Sequence, residues 1–227
     1  MRLIRSIIPK KTAAAALCGL ALAAAAPMAQ ALNVSDVAGD FLASYSGAKG
    51  GDLDVINSFV TYNALTDVFV FAGTLNADIG TTPGAFYVFG INRGTGTAPF
   101  AAIGAGNVVF DSVVRFNADG SGTVTGTTPP TQLPIGTVKV FGSTIIGTIS
   151  GSLLPSKGFA KTDYTWNLWP RLSGVAGLSA ISDFAPNNAM VPVTPLNAVP
   201  EPASVALLAL GLGVVAMARR RHKSAAA

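Results

Sequence analysis

Four aspartates stand within one short stretch near the start of the chain: Asp36, Asp40, Asp52 and Asp54. Gly39, Gly50 and Gly51 interrupt that stretch and let backbone carbonyls turn toward the carboxylates. Clustered hard oxygen donors suit Ca2+, which takes roughly six to eight of them. These four residues are therefore candidate ligands of a structural calcium ion, and no other cofactor is expected. The competing reading is solvated aspartates capping turns through local hydrogen bonds. A second candidate is aromatic. Tyr164, Trp166 and Trp169 could stack against a sugar, with Tyr164 and Trp166 on one side of a strand and Trp169 on the other. The competing reading for large aromatics is core.

Other chemistries lack their residues. The single histidine is His222 and the single cysteine is Cys18, both in the terminal segments. Between Leu32 and Val199 there is thus no Ser-His-Asp triad, no histidine-bound zinc and no thiol nucleophile. Gly94-Thr95-Gly96 and Gly104-Ala105-Gly106 lack the further glycine, or the Gly-Lys-Ser/Thr, of a phosphate loop. An aspartate pair could in principle serve a glycosidase, but no spacing singles one out.

The elements that must position these residues read as strands. Val55–Tyr62, Val68–Leu75, Ala85–Asn92, Asn107–Phe116, Thr123–Thr127, Thr137–Phe141, Thr144–Ile149 and Tyr164–Trp169 are short β-branched or aromatic runs between glycine, asparagine and proline turns. Val68–Leu75 is apolar on both faces and is expected to be buried on both. Pro170 is expected to stop the strand before it, and Ile181–Phe184 is a candidate last strand. About eight or nine such strands imply an all-β fold, an antiparallel β-sandwich of jelly-roll-like form.

The whole chain has a formal charge of +4, but its middle does not. Between Leu32 and Val199, seven Lys and Arg face ten Asp. That balance excludes the clustered basic face that nucleic-acid binding requires.

The positive charge sits at the ends. Arg2, Arg5, Lys10 and Lys11 precede an Ala/Leu-rich run from Thr12 to Ala26, and Ala29-Gln30-Ala31 follows. This is the pattern of a secretory signal peptide cut after Ala31 by signal peptidase, with Ala29 and Ala31 as the small residues of the cleavage site. It implies passage through the Sec export machinery. At the other end stand Pro200-Glu201-Pro202, an apolar run from Ala203 to Ala218, and Arg219-Arg220-Arg221-His222-Lys223. A helix through that run would reach about 24 Å, just short of the ~30 Å hydrocarbon core. The arginines are expected to act as a membrane stop on the cytoplasmic side. Glu201 is the only glutamate in the chain.

This C-terminal arrangement resembles the PEP-CTERM sorting signal of exported bacterial proteins. The resemblance implies that an exosortase recognises Pro200, Glu201 and Pro202 and releases or transfers the protein to the cell surface. It also implies a Gram-negative host and an association with exopolysaccharide and biofilm. The expected organisation is a signal peptide (1–31), a β-sandwich domain (32–186), a proline-rich spacer standing the domain off the membrane (187–199), the sorting signal with its transmembrane helix (200–223) and a short tail (224–227). The chain is expected to be held transiently in the inner membrane facing the periplasm, then to reach the cell surface or medium. The expected role is that of a surface or extracellular-matrix protein with no catalytic function. The alternative is a carbohydrate-binding module, with calcium as an optional ligand.

Overall fold

The computed structural model describes residues 32–126 and 129–196. The segments assigned to the signal peptide, the Pro-Glu-Pro motif, the apolar run and the arginine stop lie outside them. Among the described residues no helix is long and apolar enough to cross a membrane.

The described chain is all-β, with two sheets and only short 3₁₀ turns between strands. Its strands are β1 (Val34–Ser35), β2 (Val55–Asn63), β3 (Val68–Leu75), β4 (Ala85–Asn92), β5 (Ser112–Asn117), β6 (Gly122–Thr125), β7 (Thr131–Gln132), β8 (Val138–Phe141), β9 (Thr144–Ser150), β10 (Thr165–Leu172), β11 (Val191–Pro192) and β12 (Thr194–Leu196). One sheet runs β1-β2-β3-β9-β8 and takes β12 in parallel on β2; the other runs β11-β10-β4-β5-β6-β7. Successive strands are mostly neighbours. The run β4 to β7 is a meander within one sheet, which differs from the alternate crossing between sheets that a jelly roll makes.

The sheets share one core. Period-two alternation sends Phe69 and Phe71 of β3, Phe89 of β4, Phe116 of β5 and Trp166 of β10 into it, all with no exposed surface. The rings meet edge to face across the sheets, with Phe71 and Phe89 centroids 5.3 Å apart. That geometry favours aromatic pairs beyond the area they bury. Val68 and Val70, on the other face of β3, are only half-buried, so this strand is covered fully on one side, not on both.

The second sheet has a core on its outer face as well. Val88, Phe100, Val108, Trp169, Ile181 and Phe184 are buried there. Two long connections, from β4 to β5 and from β10 to β11, fold back over the sheet to make it. This is why β5 begins at Ser112 and not at Asn107: Val108 is buried under the sheet, and Phe110 bonds Thr97 in an isolated bridge instead of joining the ladder. Trp169 packs directly over β4, where a Cβ at Gly90 would lie 2.3 Å from its ring. Only glycine fits there.

Two expectations on strand ends are corrected. Pro170 does not stop β10, which continues to Leu172 opposite Ala85. The Pro170 carbonyl accepts from Ser182 N on the side away from β4. The proline's missing N–H therefore faces that side too, and no bond to β4 is lost. Ile181–Phe184 forms no strand of its own: its ladder pairing with β10 is limited to the isolated bridge Arg171–Ile181, with Leu168–Ala185 just after it.

The expected spacer is also different. Val191–Pro192 pairs with the start of β10, and Thr194–Leu196 lies on Thr61–Asn63 of β2. β1 occupies the other half of that same β2 edge, and Leu32 N donates to Thr194 Oγ1 at 2.9 Å. The two ends of the described chain thus meet on one edge of one strand.

Candidate metal centre

Three acidic side chains converge where β2 begins: Asp40, Asp54 and Asp183 each bring a carboxylate oxygen within 4.8 Å of the others. Different segments deliver them. Asp36 N bonds Ile56 O as the chain leaves β1. The left-handed turn at Gly39, with φ of +86°, then carries the chain to Asp40, and Gly39 N donates to Asp54 Oδ2 at 2.8 Å. Asp54 lies between a 3₁₀ turn, Gly51–Leu53, and β2. Asp183 comes from the connection after β10, where Ser182 Oγ bonds Leu53 O at 2.7 Å and fixes that connection against the start of β2.

Asp36, Asp40 and Asp54 each take donors on one oxygen, and Asp183 takes one on each. Asp54 Oδ2 also accepts from Asn76 Nδ2 at 2.9 Å. Asp183 accepts from Val55 N at 2.9 Å and Phe184 N at 2.7 Å. Asp40 Oδ2 accepts from Asn187 Nδ2 at 3.2 Å, and Asp36 Oδ1 from Val37 N. The remaining oxygens, Asp36 Oδ2, Asp40 Oδ1 and Asp54 Oδ1, are buried without a donor.

The electrostatics follow. Burial pushes the Asp183 carboxyl up to about 7, against the bond from Val55 N, and the charges of Asp36 and Asp40 push the same way. Burial likewise takes Asp36 up to about 6, opposed by the Val37 N–H and aided by Asp40 and Asp54. Among the described residues no Lys or Arg forms an ion pair with any of the four. Such a surplus of hard oxygen donors, with no nitrogen or sulfur ligand among them, is the donor chemistry of Ca2+ or Mg2+.

Of the four aspartates expected from sequence, Asp40 and Asp54 are in the triad, Asp36 lies close enough to feel their charges but is outside it, and Asp52 points elsewhere. Asp52 is fully buried, and its carboxylate accepts from Gly80 N, Thr82 N and Thr82 Oγ1. It holds the loop before β4 and its oxygens are all used. Asp183 replaces it and was missed, being distant in sequence. The available signal was a lone acid inside the apolar run Ala180–Pro186, since a charge in such a run needs partners from elsewhere.

The aromatic candidates are core. Tyr164 and Trp166 are fully buried and Trp169 is 2% exposed. Tyr164 stacks on Phe69 and its hydroxyl donates to Leu154 O. Trp169 packs against Phe100, Phe110 and Phe184 in the outer core. None of the three offers a face to a sugar.

A second buried charge centre lies elsewhere. Arg93 is fully buried, and its Nε donates to Asp111 Oδ1 at 2.6 Å. Its other nitrogens reach the carbonyls of Pro155, Asp111 and Gly126. Asp111 also accepts from Arg93 N, Thr95 N and Thr95 Oγ1. Burial would raise its carboxyl, but these bonds and the Arg93 charge hold it below the usual carboxylate value.

Residues 198–221 match the family described as the PEP-CTERM protein-sorting motif. No curated protein and no solved structure matches the chain. The matched residues include Pro200, Glu201, Pro202 and Arg219–Arg221, as the resemblance implied. The motif implies an exported protein that an exosortase handles and that reaches the cell surface or medium.

Proposed function

We infer, from a chain that carries a protein-sorting motif at its C-terminus, that the folded domain is cargo: a non-catalytic surface or extracellular-matrix protein of a Gram-negative bacterium. In this reading signal peptidase removes residues 1–31 after Sec export. The Ala203–Ala218 run then holds the chain in the inner membrane, facing the periplasm, until exosortase acts near Pro200–Pro202. The two packed sheets form a β-sandwich that is the delivered product, and exopolysaccharide is its neighbour in the matrix.

The motif carries this reading. Two features of the domain support it. Among the described residues the last paired one is Leu196, so a cut near Pro200 leaves every described strand intact. The exported segment also has no histidine or cysteine, and its buried Arg93 is paired with Asp111. A carbohydrate-binding role loses its aromatic basis, because Tyr164, Trp166 and Trp169 are buried.

The test is the intact mass of the protein in the medium and the membrane fraction of its host. A released species from Leu32 to about Pro200 is expected. A membrane-only species that retains Arg219–Ala227 would sink the sorting route, and turnover on a polysaccharide panel would sink the non-catalytic role.

A further inference from the structure

We propose that Asp40, Asp54 and Asp183, with Asp36 beside them, form a calcium site that staples the connection after β1 and the connection after β10 to the start of β2. The cluster of acids is one observation. The second is Asp54 itself. It is 1% exposed, its Oδ2 takes donors from Gly39 N and Asn76 Nδ2, and its Oδ1 takes none. A buried carboxylate oxygen left without a donor is costly. Here that bare oxygen is shut away from solvent on a carboxylate that lies within 4.8 Å of two others.

The spacing suits one ion. Ca–O distances are about 2.3–2.6 Å, so ligand oxygens on opposite sides of a calcium ion lie about 5 Å apart. The three carboxylate oxygens all fall within 4.8 Å of one another. Asp40 Oδ1 and Asp36 Oδ2 are also buried without donors, and Asp36, outside the triad, is a further hard-oxygen donor on the same loop. The site is flexible in number and built from loops, which suits calcium better than the near-octahedral demand of magnesium. A bound ion would also join residues distant in sequence, so its binding is folding free energy for both connections.

The experiment uses the full chain in detergent, stripped with EDTA and then melted with CaCl2 or MgCl2. Extracellular calcium modules bind at about 10⁻⁴–10⁻³ M, so the titration runs to about 10 mM. Near a hundredfold excess over Kd, calcium is expected to raise the Tm by about 5–10 °C. Asp40→Asn is expected to abolish that shift while melting no lower than the parent in EDTA, because the amide removes a repelling charge. Asp183→Asn is also expected to abolish the shift but to melt lower than the parent in EDTA, because its amide can accept only one of the bonds from Val55 N and Phe184 N; the half-buried Asp40 carries the test if that variant does not fold. Asp119→Asn, in the exposed β5–β6 turn, is expected to keep the full shift. Identical melting in calcium and EDTA would overturn the site, as would a calcium shift that survives both Asp40→Asn and Asp183→Asn. An equal shift with magnesium would overturn the choice of calcium.

Discussion

Two buried charge centres of the domain are balanced in two different ways. At Arg93–Asp111 the chain supplies both signs. The guanidinium reaches a carboxylate and three carbonyls, and the carboxylate takes donors from Arg93 and Thr95. At Asp36, Asp40, Asp54 and Asp183 it supplies one sign, and three oxygens have no donor. The first centre is complete when the chain folds. The second is incomplete until something positive arrives. A buried ion pair is self-contained and insensitive to the medium, whereas an uncompensated acid cluster makes the stability of its region depend on what the medium contains.

That contrast is most directly broken at Arg93. Arg93→Met leaves the largely covered Asp111 carboxylate without its cation and is expected to cost about 3 kcal/mol in chemical denaturation, with or without calcium. If calcium rescued it, the two centres would not be independent. Calcium itself is the next largest effect. At about a hundred times Kd it is expected to add about 2.7 kcal/mol to the parent, and Asp40→Asn to lose that gain while unfolding at no lower urea than the parent in EDTA.

pH sharpens the contrast, because the two centres shift in opposite directions. The carboxyls of Asp183 and Asp36 are raised from their ordinary value near 3.8 to about 7 and about 6. The cation-free folded form therefore holds protons that the unfolded chain has released. Its stability falls as pH rises from about 4 to about 7. Asp111 is lowered, so its contribution is present above its unfolded value and is lost only as pH falls through the folded one. EDTA-treated protein is thus expected to have a higher urea midpoint at pH 5 than at pH 7.5, by on the order of 1 kcal/mol after discounting the half-exposed Asp36. Calcium is expected to flatten or reverse that slope. An unchanged midpoint across this range would mean that Asp36 and Asp183 are not desolvated as described.

The smallest effect is at the surface. Lys161 Nζ meets Asp67 Oδ1 at 2.6 Å, with both side chains partly exposed. Lys161→Met is expected to cost less than about 1 kcal/mol, and less again in high salt. A loss as large as that at Arg93 would remove the distinction between buried and exposed pairs.

Much of the architecture was legible because strands announce themselves locally. Val68–Leu75 and Ala85–Asn92 begin and end where their composition and flanking turns place them. The misreadings share one cause. Asn107–Phe116 and Tyr164–Trp169 were bounded by local propensity, while the outer core and the free side of β10 moved the true boundaries to Ser112 and Leu172. Residues 191–196 looked like a spacer because prolines suggest one. They pair because the bare edges of β2 and β10 offered backbone partners to the returning chain.

The site divides along the same line. Asp36, Asp40 and Asp54 were legible as a group because they are close in sequence and broken by glycine. Asp52 shares that spacing, but its neighbour Leu53 is fully buried in the core. The 3₁₀ turn directs the Asp52 carboxylate to the Thr82 loop and the Asp54 carboxylate to Asp40 and Asp183. No spacing rule joins Asp183 to them.

By itself the sequence determined the sorting motif, the excess of acid in the exported part, the strand-rich class and the absence there of histidine and cysteine. Each is a property of composition or of neighbours along the chain. Only the tertiary structure decided that three prominent aromatics are core, that Asp52 is satisfied elsewhere, and that Asp183 completes an acid cluster with oxygens left bare. Those outcomes depend on which surfaces the folded chain removes from water, and burial is set by segments distant in sequence.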